Sequence, residues 1–216
     1  MALLAVGMGV TGNTSAVLLD RGPDMVYDTV LDIMRLVDYL ETRPDVDASR
    51  IGLGGFSKGG IETYLATAVE PRIAAAVAGH GVQSFKWGLD HGGWDSRAWT
   101  IRDALAATAD ETKAPLNAAF VRQFYDRVAP GIYGEFDAPA MLPLIAPRPM
   151  LVINGDSDPR TPLAGVRESA AAAEQAYRAT GAADKFVLKI LPNVGHEQTP
   201  DYENAMIDWF AKWLKP

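Results

Sequence analysis

The chain has no cysteine among its 216 residues. That excludes disulfides, a thiolate nucleophile and any metal site built on cysteine. Histidine is scarce as well: His80, His91 and His196 are the three present, and none sits in the His-Glu-x-x-His spacing of a zinc protease, so no metal is expected. Basic residues are outnumbered, 20 Lys and Arg against 27 Asp and Glu, for a net charge of −7. With no dense Lys/Arg cluster, neither a nucleic acid nor a membrane is an expected partner. No apolar run reaches the roughly 18 residues a membrane helix needs. The first residues are apolar, yet the first basic residue is Arg21, so the positive n-region of a signal peptide is missing and a cytoplasmic location is expected. Internal repeats and low-complexity linkers are also lacking. What is present, 48% hydrophobic residues in a chain of this length, suits a single globular domain over 1–216, which at this size buries about 70% of its unfolded surface.

One glycine pattern is misleading. Gly7-x-Gly9-x-x-Gly12 imitates a dinucleotide-binding turn, but that site needs a helix, a second strand and an acidic residue about 20 positions later. Asp20 arrives too soon for a helix to intervene, so a glycine-rich loop is the expectation. No cofactor follows from it.

Beyond it, helix and strand patterns alternate. Pro23-Asp24 opens a helix in which Val26, Val30, Ile33, Val37 and Leu40 recur at offsets of four and three. Short apolar runs starting at Ile51, Ile73, Met150 and Phe186 read as strands, and helical patterns cover 59–69 and 166–180. A last helix is expected with Thr199 as its cap, Pro200 in its first turn, and Tyr202, Met206, Trp209 and Trp213 on its buried face. Such alternation argues for an α/β domain, a mostly parallel sheet with helices on both faces. Residues 82–146 break the rhythm. They carry many aromatics, among them Phe85, Trp94, Trp99 and Tyr125, with helical pieces near 98–108 and 112–128. An insertion at a sheet's carboxyl end commonly forms a lid or pocket wall.

Gly55-Phe56-Ser57-Lys58-Gly59 lies between the first of these strands and its helix. A Gly-x-Ser-x-Gly turn there exposes the serine hydroxyl at a sharp strand-to-helix reversal. Asp156 and Asp158 end the strand that begins at Met150, and His196 follows the strand 186–191. Serine, acid and histidine thus occur in the chain order of a hydrolase triad, each after its own strand, at the sheet edge where ligands of α/β proteins bind. Asp158 is favoured over Asp156 because it lies further into the loop and precedes Pro159, which holds it extended. His80, at the end of the run from Ile73, also faces the site edge, but only His196 follows the acid's strand.

On these motifs the chain resembles the α/β-hydrolase superfamily, and within it the dienelactone-hydrolase and acetyl-xylan-esterase-like serine esterases. Arg43-Pro44-Asp45-Val46-Asp47, Arg50-Ile51-Gly52, the Ser57 turn, Ala146-Pro147-Arg148-Pro149, Gly155 to Pro159 and Gly195-His196 carry the likeness. The resemblance implies an ester hydrolase without a cofactor, with Ser57 as nucleophile, Asp158 as acid and His196 as base. It also implies that the backbone N–H of Lys58, the residue after the nucleophile, donates to the oxyanion. Lysine departs from the usual apolar residue there. The family sheet has eight strands, and only its second half is legible, so an N-terminally truncated fold is expected, without the loop that gives the other oxyanion donor.

The reading is a serine hydrolase cleaving small carboxylic esters through an acyl-enzyme. Its rivals are a non-catalytic remnant or binding module, and a peptidase or dienelactone-type hydrolase using the same triad. The open edge of the Ile51 strand should also be covered, either by Ala2 to Val6 or by a second copy in a homo-oligomer.

Overall fold

In the computed structural model of the protein, residues 2–6 and 26–215 are described. The segment 7–25, with the glycine pattern and the expected helix start at Pro23-Asp24, lies outside them. The described elements are β1 (Ala2–Val6), α1 (Tyr27–Glu41), β2 (Ile51–Phe56), α2 (Lys58–Val69), β3 (Ile73–Gly79) and α3 (Phe85–Asp90). After them come α4 (Arg102–Thr112), α5 (Ala118–Val128), α6 (Ala138–Met141), β4 (Met150–Gly155), α7 (Leu163–Ala179), β5 (Phe186–Leu191) and α8 (Pro200–Leu214). No helix among the described residues is long and apolar enough to cross a membrane.

The five strands form one sheet in the order β1-β2-β3-β4-β5, every neighbouring pair parallel. Four strands were legible as strands in the sequence. The fifth, β1, lies along the edge of β2 with Ala2 opposite Ile51 and Val6 opposite Gly55. The edge that needed cover is therefore taken by the chain's own first residues.

Strand burial follows position in the sheet. β2 and β4 are buried along almost their whole length, as strands covered on both faces must be. β5, at the rim, alternates buried and exposed residues. On one face α1, α2 and α7 close a core that includes Val37, Ile51, Leu53, Tyr64, Val152 and Val166. On the other, α8 lays Tyr202, Trp209, Phe210 and Leu214 against Val77, Leu151 and Ile153. Thr199 caps α8 by accepting from the Tyr202 N–H at 3.2 Å, as its sequence signals require. Its buried stripe differs in detail from expectation: Phe210 and Leu214 are buried, whereas Met206 and Trp213 are half-buried. The inward face shifts along α8 because the helix packs across a twisted sheet, which periodicity within the helix does not encode.

Between α2's partner strand β3 and β4, the chain forms α3 to α6 with a third apolar cluster of its own, centred on Phe85, Leu105, Val121, Tyr125 and Ile132. Thus most aromatics of this stretch pack its own small core. Asp137 ties it to the sheet's loops. Its carboxylate accepts from Ser84 Oγ at 2.6 Å and from the N–H groups of Phe85, Lys86 and Ala138, so one side chain caps the N-termini of α3 and α6.

Candidate active site

β2 leads straight into α2, and Ser57 stands at the reversal with φ 58° and ψ −116°. A side chain rarely adopts this backbone, and its persistence marks a position over-determined by its surroundings. One restraint is the Ser57 N–H, which donates to Gly79 O at 2.8 Å. Another is the closeness of the turn: a Cβ on Gly55 would sit 2.2 Å from Gly59 O, so only glycine fits. The reversal leaves the first turn of α2 facing the site. Among the described residues, no backbone acceptor takes the Lys58 N–H.

The loops after β2, β4 and β5 bring the three expected residues together. Ser57 Oγ donates to His196 Nε2 at 2.7 Å, and His196 Nδ1 donates to Asp158 Oδ2 at 2.8 Å. Asp158 is 4% exposed and Ser57 5% exposed. The His196 loop is seated by close approach to β4, since a Cβ on Gly155 would meet Val194 O at 2.0 Å. Asp156 has a different place. It is exposed, accepts from the Asn193 N–H at 2.8 Å, and so ties the two loops without touching a histidine.

Asp158 gathers more donors than a dyad requires. Oδ1 accepts from the N–H groups of Arg160 and Thr161, at 2.8 and 3.3 Å. Oδ2 is approached by Thr161 Oγ1 at 2.6 Å and by a second imidazole, His80 Nδ1, also at 2.6 Å. Burial by itself pushes this carboxyl up, but the bonds from His196, His80 and Thr161 outweigh it and hold the group well below the usual carboxylate range. An ionised carboxylate only accepts, so both imidazoles present Nδ1–H to it. His80, Asp158 and His196 are also a grouping of the kind that binds metals. Their spacing is that of hydrogen bonds, however: ligands 2.0–2.1 Å from a tetrahedral zinc stand about 3.3 Å apart, more than the 2.6 and 2.8 Å here.

A small cavity adjoins Ser57, with Ile61, His80, Arg97, Arg160 and His196 in its wall. Arg97 comes from the insertion and is buried. It donates to Gly81 O at 2.9 Å and to Gln83 O, and its guanidinium lies 4.8 Å from the Phe85 ring centre. Lys58, whose charge the resemblance left unexplained, pairs with buried Glu62 one turn along α2. Burial raises the Glu62 carboxyl, and the bond to Lys58 opposes that rise.

Sequence reasoning left His80 at the site's edge and missed Arg97, Arg160 and Thr161. Thr161 had a local signal, a hydroxyl residue three positions after an acid in a turn. The Lys58–Glu62 pair was legible as an i, i+4 spacing. Arg97 had none, because the insertion brings it back to the site through space.

The comparisons with known proteins agree with this architecture. The family profile that matches residues 23–216 is that of the prolyl oligopeptidase family. The chain belongs to the prolyl oligopeptidase family. Its fold is accordingly that of the α/β hydrolases. Among relatives, a candidate hydrolase of Bacillus subtilis (strain 168), YtaP, is 28% identical over 190 residues, 88% of this chain and 53% of that protein. Among solved structures, a glucuronoyl esterase from Solibacter usitatus superposes with TM-score 0.61 at 19% identity, over 89% of this chain and 49% of its own. An acetyl xylan esterase from Paenibacillus sp. R4 does so with TM-score 0.58 at 21% identity, over 86% and 52%. The chain therefore spans about half the length of these relatives.

Proposed function

We propose that this prolyl oligopeptidase family member is a serine esterase that cleaves small carboxylic esters through an acyl-enzyme. The observation that carries the reading is the continuous chain of hydrogen bonds from Ser57 Oγ through His196 to Asp158, at 2.7 and 2.8 Å. His196 Nε2 takes the Ser57 proton as Oγ bonds to the ester carbon, and Asp158 holds the imidazole and balances the imidazolium. The oxygen that gains charge is met by the Lys58 N–H at the positive end of α2. Collapse breaks the ester C–O bond, and the alcohol leaves with the proton from His196. Water then attacks the acyl-serine with His196 again as base, releasing the carboxylic acid and restoring Ser57.

Small esters are favoured over peptides by the small cavity beside Ser57 and by the likeness in fold to a glucuronoyl esterase and an acetyl xylan esterase. The competing reading, a peptidase using the same residues, draws on the family's name. Turnover of 4-nitrophenyl acetate and of a chromogenic dipeptide amide, each with Ser57→Ala as control, decides between them. Labelling of Ser57 by a phosphonate ester is expected in the parent. Absence of both labelling and turnover would favour a binding module.

A further inference from the structure

We propose that His80 is a positioning residue of the triad, a second imidazole that donates to Asp158 and sets how strongly Asp158 supports His196. This rests on the catalytic reading above. The geometry is direct: His80 Nδ1 stands 2.6 Å from the Asp158 oxygen that also receives His196, and both side chains of the His80–Asp158 pair are fully buried. The two imidazole rings stand edge to face, with centres 5.6 Å apart. Phe56 lies 5.0 Å from each ring and Tyr202 6.1 Å from His80, so the pair is walled off by aromatic rings.

The backbone is specialised for this contact. His80 has φ 51°, a left-handed conformation that few side chains adopt. Its own N–H donates to Ile153 O at 2.8 Å, pinning the residue across the end of β4. Among the described residues His80 Nε2 is buried with no partner. The ring's one polar contact is therefore with the triad acid, which a residue placed only to fill space would not need. The other titratable or charged groups about His80 are His196, Tyr202, Lys58, Arg97 and Arg160.

Two imidazoles on one carboxylate oxygen compete for its electron density. Each N–H that Asp158 accepts weakens the pull it exerts on the other. His80 thus fixes the carboxylate's orientation and tempers the stabilisation of the His196 imidazolium. Removing the His80 donor makes Asp158 a stronger acceptor for His196, and the imidazolium is favoured. The active, unprotonated base then appears only at higher pH.

Two variants separate this role from mere packing. His80→Asn keeps a donor at the Nδ1 position and tolerates the left-handed backbone; His80→Gly relaxes the backbone and removes the donor. The acid limb of kcat/KM against pH is expected to move up by about half a unit or more in His80→Gly, with kcat lowered and KM little changed, and to stay near the parent in His80→Asn. An unmoved limb in His80→Gly, or equal losses in both variants, overturns the proposal. Nitrogen-15 NMR of the imidazoles gives a readout without turnover: His80 is expected as the Nδ1–H tautomer, and the His196 Nδ1–H proton moves downfield in His80→Gly alone. A parent that binds no ester but shows these shifts would retire the esterase reading and keep the contact. An Nε2–H tautomer for His80 would retire the contact whatever the activity.

Discussion

The sheet half of the molecule and the insertion between β3 and β4 meet at the cavity beside Ser57, and they are held by different forces. In the sheet half, contiguous apolar strands are sandwiched between helices, and the cores on both faces are almost wholly aliphatic and aromatic. The insertion has a smaller apolar cluster and is pinned by a few buried polar groups: Asp137 at two helix starts, Arg97 on two carbonyls, and the Tyr125 hydroxyl donating to Arg97 O at 2.9 Å. Tyr27, Ile61 and Phe136 border both cores and are the apolar seam. The sheet half should therefore behave as one cooperative unit that carries the chemistry. The insertion should open more readily and act on the substrate's access.

Ser57→Ala and His196→Ala sharpen the contrast most. Each is expected to lower kcat by about 10⁶ with the fold retained, because triad members act as a unit; residual rates within tenfold of the parent would break the mechanism. Asp158→Asn comes next, with a loss on the order of 10⁴ through misorientation of His196. Asp156→Asn should cost far less, and the reverse ranking would move the acid role. The same Asp158 substitution has a stability signature. Its carboxyl is held below its unfolded value of about 3.9, so the stability it contributes is present above that pH and fades as the pH falls below it. Acid melts of Asp158→Asn should accordingly be shallower than those of the parent.

Gly155→Ala tests how the loops are seated. The added Cβ would press on Val194 O, displacing the His196 loop, and a shift of about 1 Å is enough for a loss near 10²-fold in kcat. Unchanged kinetics would show that the loop yields freely. The smallest chemical effect is expected from the insertion's core. Leu53 in β2 and Leu105 in α4 are both fully buried, so either Leu→Ala change should cost about 2–5 kcal/mol. Hydrogen exchange distinguishes them: Leu105→Ala should loosen α4 and α5 while the β2 amides stay protected, whereas Leu53→Ala should lower protection throughout. A uniform loss in both would merge the two regions into one unit.

Much of the site was readable because its signals are local. The glycines around Ser57 mark a turn where a Cβ has no room, and the order of serine, acid and histidine follows three strand ends that sheet formation must bring to one edge. Asp158 was separable from Asp156 by its proline neighbour. The choice of partners was less legible. Met206 and Trp213 fit the stripe of α8 on periodicity, yet Phe210 and Leu214 are buried more deeply than either and press on Gly52 of β2, because the helix axis and the sheet twist together set which face turns inward.

By itself, the sequence determined the alternation of strands and helices, the elbow at Ser57, and the loops that carry Asp158 and His196. These follow from short-range sterics and from apolar periodicity, which act within a few residues. Only the tertiary structure decided that Ala2–Val6 lines the edge of β2, that Arg97 returns to the cavity, and that His80 shares the carboxylate of Asp158. The partners in most of these contacts are far apart in the chain. Their pairing is set by strand register and by helix packing on the sheet, and neither leaves a mark in the local pattern of residues.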